Sequence, residues 1–107
     1  MKPNMANMIK QAQKMQADLA KAQAELASET VEASVGGGAV KVVMRGDMTV
    51  ESVRIEPSAV DPDDVGMLED LIAAAFNEAA RQAQELQARK MQAVTGPLGG
   101  LGIPGLM

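Results

Sequence analysis

The 107-residue chain has no cysteine, histidine, tryptophan or tyrosine, and Phe76 is its one aromatic residue. Without cysteine there are no disulfides and no thiolate metal sites, which fits a reducing cytosol. Without histidine, acid–base catalysis falls to a perturbed carboxylate or lysine. Ser34, Ser52 and Ser58 have no base to activate them. No stretch reaches the roughly 18 apolar residues that span a bilayer. Lys10, Lys14 and Asp18 interrupt the N-terminal region where a signal peptide would need an apolar run. Asp61, Asp63 and Asp64 do not have the spacing of a calcium loop, and helix capping accounts for all three. Gly36-Gly37-Gly38 is followed by neither Gly-Lys-Ser/Thr nor a helix, so a hairpin connection explains it better than a phosphate cradle. The expectation is a soluble, cytoplasmic protein that is not an enzyme. No metal, cofactor, membrane or small-molecule substrate is implied.

What is present is one domain's worth of chain. Hydrophobic residues make up 47% of it, too many for disorder. Most are Ala, Met, Val and Leu, so the core of a single copy should be thin, and small domains of that kind often complete themselves by oligomerising. The nine methionines suit adaptable contact surfaces. Charge is unevenly placed. Residues 1–24 carry a local balance of +3, residues 81–93 of +2, and residues 25–80 of −9, for a net −4. An acidic protein with basic ends can still meet a polyanion through those ends, because screening cuts off charges beyond about 8 Å in physiological salt. A solvated helix face with no ligand explains the same lysines equally well.

Periodicity divides the chain into five elements. Met5, Met8, Ala12, Met15, Leu19, Ala22 and Leu26 recur at spacings of three and four, the heptad stripe of a long amphipathic helix over residues 5–26. Lys10, Lys14 and Lys21 fall opposite that stripe. Val31, Ala33 and Val35 alternate with Glu32 and Ser34, and after the glycines Val40, Val42 and Met44 alternate with Lys41, Val43 and Arg45, giving two strands. Gly46-Asp47 has the type of a two-residue hairpin loop. Residues 48–56 form a third strand ended by Pro57, and its phase slips between Val50 and Val53, which predicts a bulge. Asp61-Pro62-Asp63-Asp64 reads as a helix start, with Asp61 as N-cap and Pro62 at the first helical position. The second helix runs to about residue 93 with Leu68, Ile72, Ala75, Phe76, Ala79, Ala83 and Leu86 as its apolar face. Thr95-Gly96-Pro97 should stop it. Residues 1–95 thus form the domain, and residues 96–107 a flexible Gly/Pro-rich tail. Both helices are longer than the strands, so the basic ends should overhang the sheet.

Three segments carry a family resemblance. Met67-Leu68-Glu69-Asp70-Leu71-Ile72-Ala73-Ala74-Ala75-Phe76-Asn77-Glu78-Ala79-Ala80-Arg81 resembles the signature helix of the YbaB/EbfC nucleoid-associated family. Asn7-Met8-Ile9-Lys10-Gln11-Ala12-Gln13-Lys14-Met15-Gln16 resembles its opening helix, and Val53-Arg54-Ile55-Glu56-Pro57-Ser58 its strand-end motif. The likeness covers nearly the whole chain, with a mild departure at Gly46-Asp47-Met48, where a more polar, Gly-centred turn is expected. It implies an α+β fold in α-β-β-β-α order, with a three-stranded antiparallel meander and two long helices projecting from a tweezer-like homodimer. It also implies binding of double-stranded DNA at the bacterial nucleoid. Carried over by position, the DNA-binding residues are Lys10, Lys14 and Lys21 on the first helix and Arg81, Arg89 and Lys90 on the second.

Two functions compete. One is a DNA-binding dimer that contacts phosphates and groove shape more than bases, since there is no aromatic platform for stacking and few base-reading side chains beyond Asn7, Gln11, Gln13 and Gln16. The other is a protein-interaction adaptor whose Met-rich helices grip a partner helix. Phosphate-driven binding weakens steeply with salt, whereas an apolar grip does not.

Overall fold

The computed structural model describes the backbone of residues 5–106 and the side chains of residues 5–94. The order is α1 (Met5–Ser28), β1 (Thr30–Val35), a glycine turn (Gly36–Gly38), β2 (Val40–Arg45), β3 (Val50–Ile55), a short 3-10 turn (Pro57–Ala59) and α2 (Val65–Leu106). The strands form one antiparallel meander in the order β1-β2-β3. This is the expected α-β-β-β-α architecture.

Alternation builds the sheet. Val40, Val42 and Met44 are buried on one face of β2, and Ala33 joins them from β1. On α2, Ala75, Ala79 and Ala83 recur every fourth residue, so they share one face. All three are fully buried, and their small side chains let the helix axis lie close to β1 and β2, the strands it covers. Half-buried Leu71, Ile72 and Phe76 pack around that line.

The predicted bulge is present. Val42 pairs with Val53 and Val43 with Ser52, but Met44 pairs with Val50, which leaves Glu51 as the extra residue. The bulge keeps Val50 and Val53 on the same face although they are three residues apart. That face is the core face, yet Val50 is 40% and Val53 43% exposed. The helix that covers β1 and β2 leaves β3 open.

The two connections differ in why they need glycine. Gly36, Gly37 and Gly38 all have positive φ, at 63°, 68° and 97°, so the β1–β2 turn is a left-handed run that other residues resist. The β2–β3 loop is longer than the two residues expected. Met48 N–H donates to Arg45 C=O at 2.9 Å, and Arg45 N–H donates to Thr49 C=O at 2.7 Å, which closes a three-residue loop over Gly46, Asp47 and Met48. Its third residue is left-handed, and Met48 occupies it at φ 74°. Replacing Met48 with Gly should therefore stabilise the protein by up to about 1 kcal/mol, since a left-handed L-residue costs more than glycine's extra unfolded-state freedom. A urea midpoint that rises checks this, and one that falls counts against it.

Both predicted ends of α2 need correction. The N-cap is Asp64, whose Oδ1 accepts the Met67 N–H at 3.3 Å. Asp61 instead closes the preceding turn, with its carbonyl accepting from Asp64 N–H at 3.0 Å and its Oδ1 from Asp63 N–H at 2.9 Å. Pro62 sits inside that turn, where its fixed φ is equally at home. At the other end the backbone continues through Gly96 and Pro97 to Leu106 rather than stopping at Thr95-Gly96-Pro97. An established helix extends without a new nucleation cost, and this run does so although Pro97 and Pro104 each lack a backbone donor. The expected flexibility of the tail at residues 96–107 concerns side chains that lie outside the described residues.

The helices overhang as their lengths require. The longest dimension is 76 Å, against about 20 Å for a six-residue strand. The radius of gyration is 20.6 Å, where a compact chain of this length would give about 13 Å. Ala22 and Leu26 of α1 are buried, whereas Met5, Met8 and Ile9 are 70%, 60% and 54% exposed. The inner end of α1 joins the core and its outer end leaves it. Leu19, midway along the stripe, is 37% exposed.

Candidate nucleic-acid interface

The overhang is an antiparallel helix pair. Glu25 and Glu29 face Lys90, and one cleft is lined by Asp18, Lys21 and Ala22 from α1 together with Ala93 and Val94 from α2. Rising numbers on α2 thus meet falling numbers on α1. Lys21 of α1 and Lys90 of α2 line the same cleft, so the two basic segments meet on one arm.

Lys10, Lys14 and Lys21 are spaced by four and seven residues. At 100° per residue they fall within about 40° of one another, along about 16 Å of helix axis. All three are exposed. Arg89 is exposed on α2, close to the same arm. Among the described residues, four of the nine cations are held in ion pairs: Lys41, Arg45, Arg81 and Lys90. Five are not: Lys10, Lys14, Lys21, Arg54 and Arg89. Four of those five belong to the arm, and Arg54 lies on β3.

Arg81 and Lys90 sit differently from the rest. Arg81 lies over the sheet. Its Nε donates to the Glu78 carboxylate at 3.0 and 3.1 Å, and its Nη1 to Glu85 at 2.6 Å. Glu78 holds the guanidinium well above its ordinary range, with Glu85 adding to the effect. In return, the bond from Arg81 lowers the Glu78 carboxyl. The i, i+3 and i, i+4 spacing made this pairing readable from the sequence. Lys90 has a side chain only 23% exposed, with Nζ 2.8 Å from Glu29 Oε2 and 3.6 Å from Glu25 Oε2. Glu29 is the main cause holding its ammonium above the usual lysine range.

The base of the arm contains a joint that periodicity did not reveal. Gly46 in the β2–β3 loop donates its N–H to Glu29 C=O at 2.8 Å, and its own C=O accepts from Gln87 Nε2 at 2.7 Å. It is buried against both helices: a Cβ there would lie 2.7 Å from Leu26 Cδ2, 2.9 Å from the Leu26 carbonyl oxygen and 3.1 Å from Leu86 Cδ2. Gly46 therefore serves close approach rather than a special φ.

The sheet and the start of α2 are acidic. Asp61 and Asp64 accept hydrogen bonds from backbone N–H groups. Among the described residues, no three or more carboxylates converge as a metal site, and no helix is long and apolar enough to cross a membrane.

The arrangement matches known proteins along its length. A family model described as the YbaB/EbfC DNA-binding family covers residues 1–98. A nucleoid-associated protein of Ruminiclostridium cellulolyticum is 53% identical over 103 residues, spanning 96% of this chain and 88% of that protein. One from Saccharopolyspora erythraea is 53% identical over 110 residues, spanning 97% and 95%. The crystal structure of an uncharacterized protein from Helicobacter pylori shares the fold at a TM-score of 0.71 and 17% identity, over 86% of this chain and 95% of that one. With its fold, its basic arm and this match over nearly its whole length, the chain belongs to the YbaB/EbfC DNA-binding family.

Proposed function

We propose that the chain acts as a homodimer that binds duplex DNA through the lysine faces of its projecting arms. It reads sequence weakly and contributes to chromosome organisation and gene regulation at the cytoplasmic nucleoid. Catalysis forms no part of this reading. The observation that carries it is the segregation of cations. Lys10, Lys14, Lys21 and Arg89 stand unpaired on the arm, whereas most cations of the acidic body are neutralised by neighbouring carboxylates. A polyanion is attracted to the arm and repelled by the body. Lys10, Lys14, Lys21 and Arg89 are assigned the main phosphate contacts, and Arg81 a lesser one because its charge is already shared with Glu78 and Glu85.

The dimer rests on area left uncovered. Val50 and Val53 are exposed on the core face of β3, and a second copy would shield them. Low specificity follows from the side chains on the arm, which offer phosphate-binding ammonium groups and a few amides but no stacking platform. Two measurements test the reading together. Sedimentation at micromolar concentration should give a dimer. Anisotropy with two labelled duplexes of unrelated sequence should give affinities within about tenfold of one another, a gap worth only about 1.4 kcal/mol. A folded monomer removes the dimer, and no binding to either duplex removes the DNA role.

A second reading has one specific observation in its favour. Met5, Met8 and Ile9 form an exposed apolar stripe on α1, which suits an adaptor that grips a partner helix.

A further inference from the structure

We propose that Lys90 is the positioning residue of the arm: its ammonium fastens the end of α1 to α2 through Glu29 and Glu25, and so aims the lysine face instead of contacting DNA. The inference rests on the basic-arm reading above. Lys90 falls within a basic segment and would be grouped with the phosphate contacts on that ground alone. Its surroundings assign it another task.

Nζ lies between two carboxylates of another part of the chain, 2.8 Å from Glu29 and 3.6 Å from Glu25, and three quarters of the side chain is covered. Lys90 and its two acids together carry one net negative charge. A phosphate approaching this point meets the exposed faces of Glu25 and Glu29, so the local field repels it. The neighbouring Arg89, exposed and unpaired, lacks this shield.

The two acids occupy the place where α1 turns into the sheet. Glu29 follows the last residue of α1, and its N–H donates to Glu25 C=O at 2.8 Å. Its C=O accepts from Gly46 N–H at 2.8 Å, and Gln87, three residues before Lys90, donates to the Gly46 carbonyl at 2.7 Å. Lys90 and Gln87 thus hold the α1 exit and the β2–β3 loop against α2 at one point. The arm magnifies any error made there. From Glu29 to Lys10 is about 28 Å of helix, so a 10° tilt at the joint moves the lysine by about 5 Å. That shift is large compared with a hydrogen bond to a phosphate oxygen.

The test uses the full chain, which has no cysteine to interfere with labelling. Spin labels are introduced at Gln13→Cys on the arm and Glu69→Cys on the body, and labelled protein is diluted with unlabelled protein so that distances within one chain are read. Lys90→Gln, Lys90→Glu and the swapped pair Lys90→Glu with Glu29→Lys are compared with the parent. Far-UV circular dichroism confirms that each is folded. Positioning predicts a broadened arm–body distance in Lys90→Gln and Lys90→Glu. It also predicts at least a fivefold loss of affinity for a mixed-sequence 30-bp duplex. The swapped pair should restore the narrow distance and bring affinity back to within threefold of the parent. An unchanged distance in Lys90→Gln and Lys90→Glu overturns the proposal, whatever happens to affinity. A restored distance without restored affinity also overturns it, because Lys90 then acts on DNA directly. Should a single variant fail to fold, the swapped pair decides the matter by the same two readouts. Should the parent itself not bind the duplex, the basic-arm reading fails, while the distance measurement still judges whether Lys90 sets the arm.

Discussion

Changing Lys10, Lys14 and Lys21 together to Gln is expected to weaken duplex binding by about a hundredfold or more at low salt. The three ammonium groups lie on one exposed face and no carboxylate in the described chain engages them. Each is therefore available to displace a counterion from DNA, and a dimer presents the set twice. Folding should be unaffected, because exposed charges without partners contribute little to stability. Lys41→Gln is the control. That lysine sits on β2, paired with Glu32 at 3.2 Å, within the acidic body. Its loss should change binding only slightly. A triple variant that binds like the parent would move DNA recognition to α2 or favour the adaptor reading.

Gly46→Ala should be the most damaging single methyl group added to the described core. The new Cβ would lie 2.7 Å from Leu26 Cδ2 and 2.9 Å from the Leu26 carbonyl oxygen. The leucine side chain can move, but the carbonyl belongs to the last turn of α1, so the helix or the loop must shift. Overpacking of this kind costs about 1–3 kcal/mol, or about 5–20 °C in Tm for a domain of this size. The shift would also disturb the bonds from Gly46 N–H to Glu29 and from Gln87 to Gly46 C=O. Gly66→Ala is the comparison, since nothing lies within 4 Å of a Cβ there. It should be neutral or stabilising by up to about 1 kcal/mol. Both variants are melted at equal protein concentration, because a dimer's Tm depends on it. Equal Tm values for Gly46→Ala and the parent would sink the joint.

The contrast between those two glycines shows what the sequence could reveal. Elements set by local periodicity were legible. The stripe from Met5 to Leu26, the alternation in β1 and β2 and the four-residue alanine spacing of α2 each appear where expected. Even the bulge at Glu51 was readable, because the slip from Val50 to Val53 breaks a period of two. Features set by contact across the chain were not. Gly46 reads as a turn glycine, whereas its need for space comes from Leu26 and Leu86. Asp61 and Asp64 are equally good caps by type, and only the turn hydrogen bond from Asp64 N–H to Asp61 C=O assigns Asp61 to the loop. The candidate site divides in the same way. The shared face of Lys10, Lys14 and Lys21 follows from helical geometry. The meeting of Lys90 with Glu29, 61 residues apart in sequence, depends on how α1 and α2 pair.

If phosphate contacts from the arm hold the DNA, binding must depend steeply on salt. Anisotropy titrations of a mixed-sequence duplex, run at several salt concentrations, give a log–log plot of affinity against salt. Each phosphate contact contributes about 0.9 to its slope, so six lysines in a dimer account for about 5. The parent should lose affinity steeply as salt rises, and the triple Lys→Gln variant should show a slope shallower by about that amount. A parent slope near zero, or a variant slope equal to the parent's, would contradict the account.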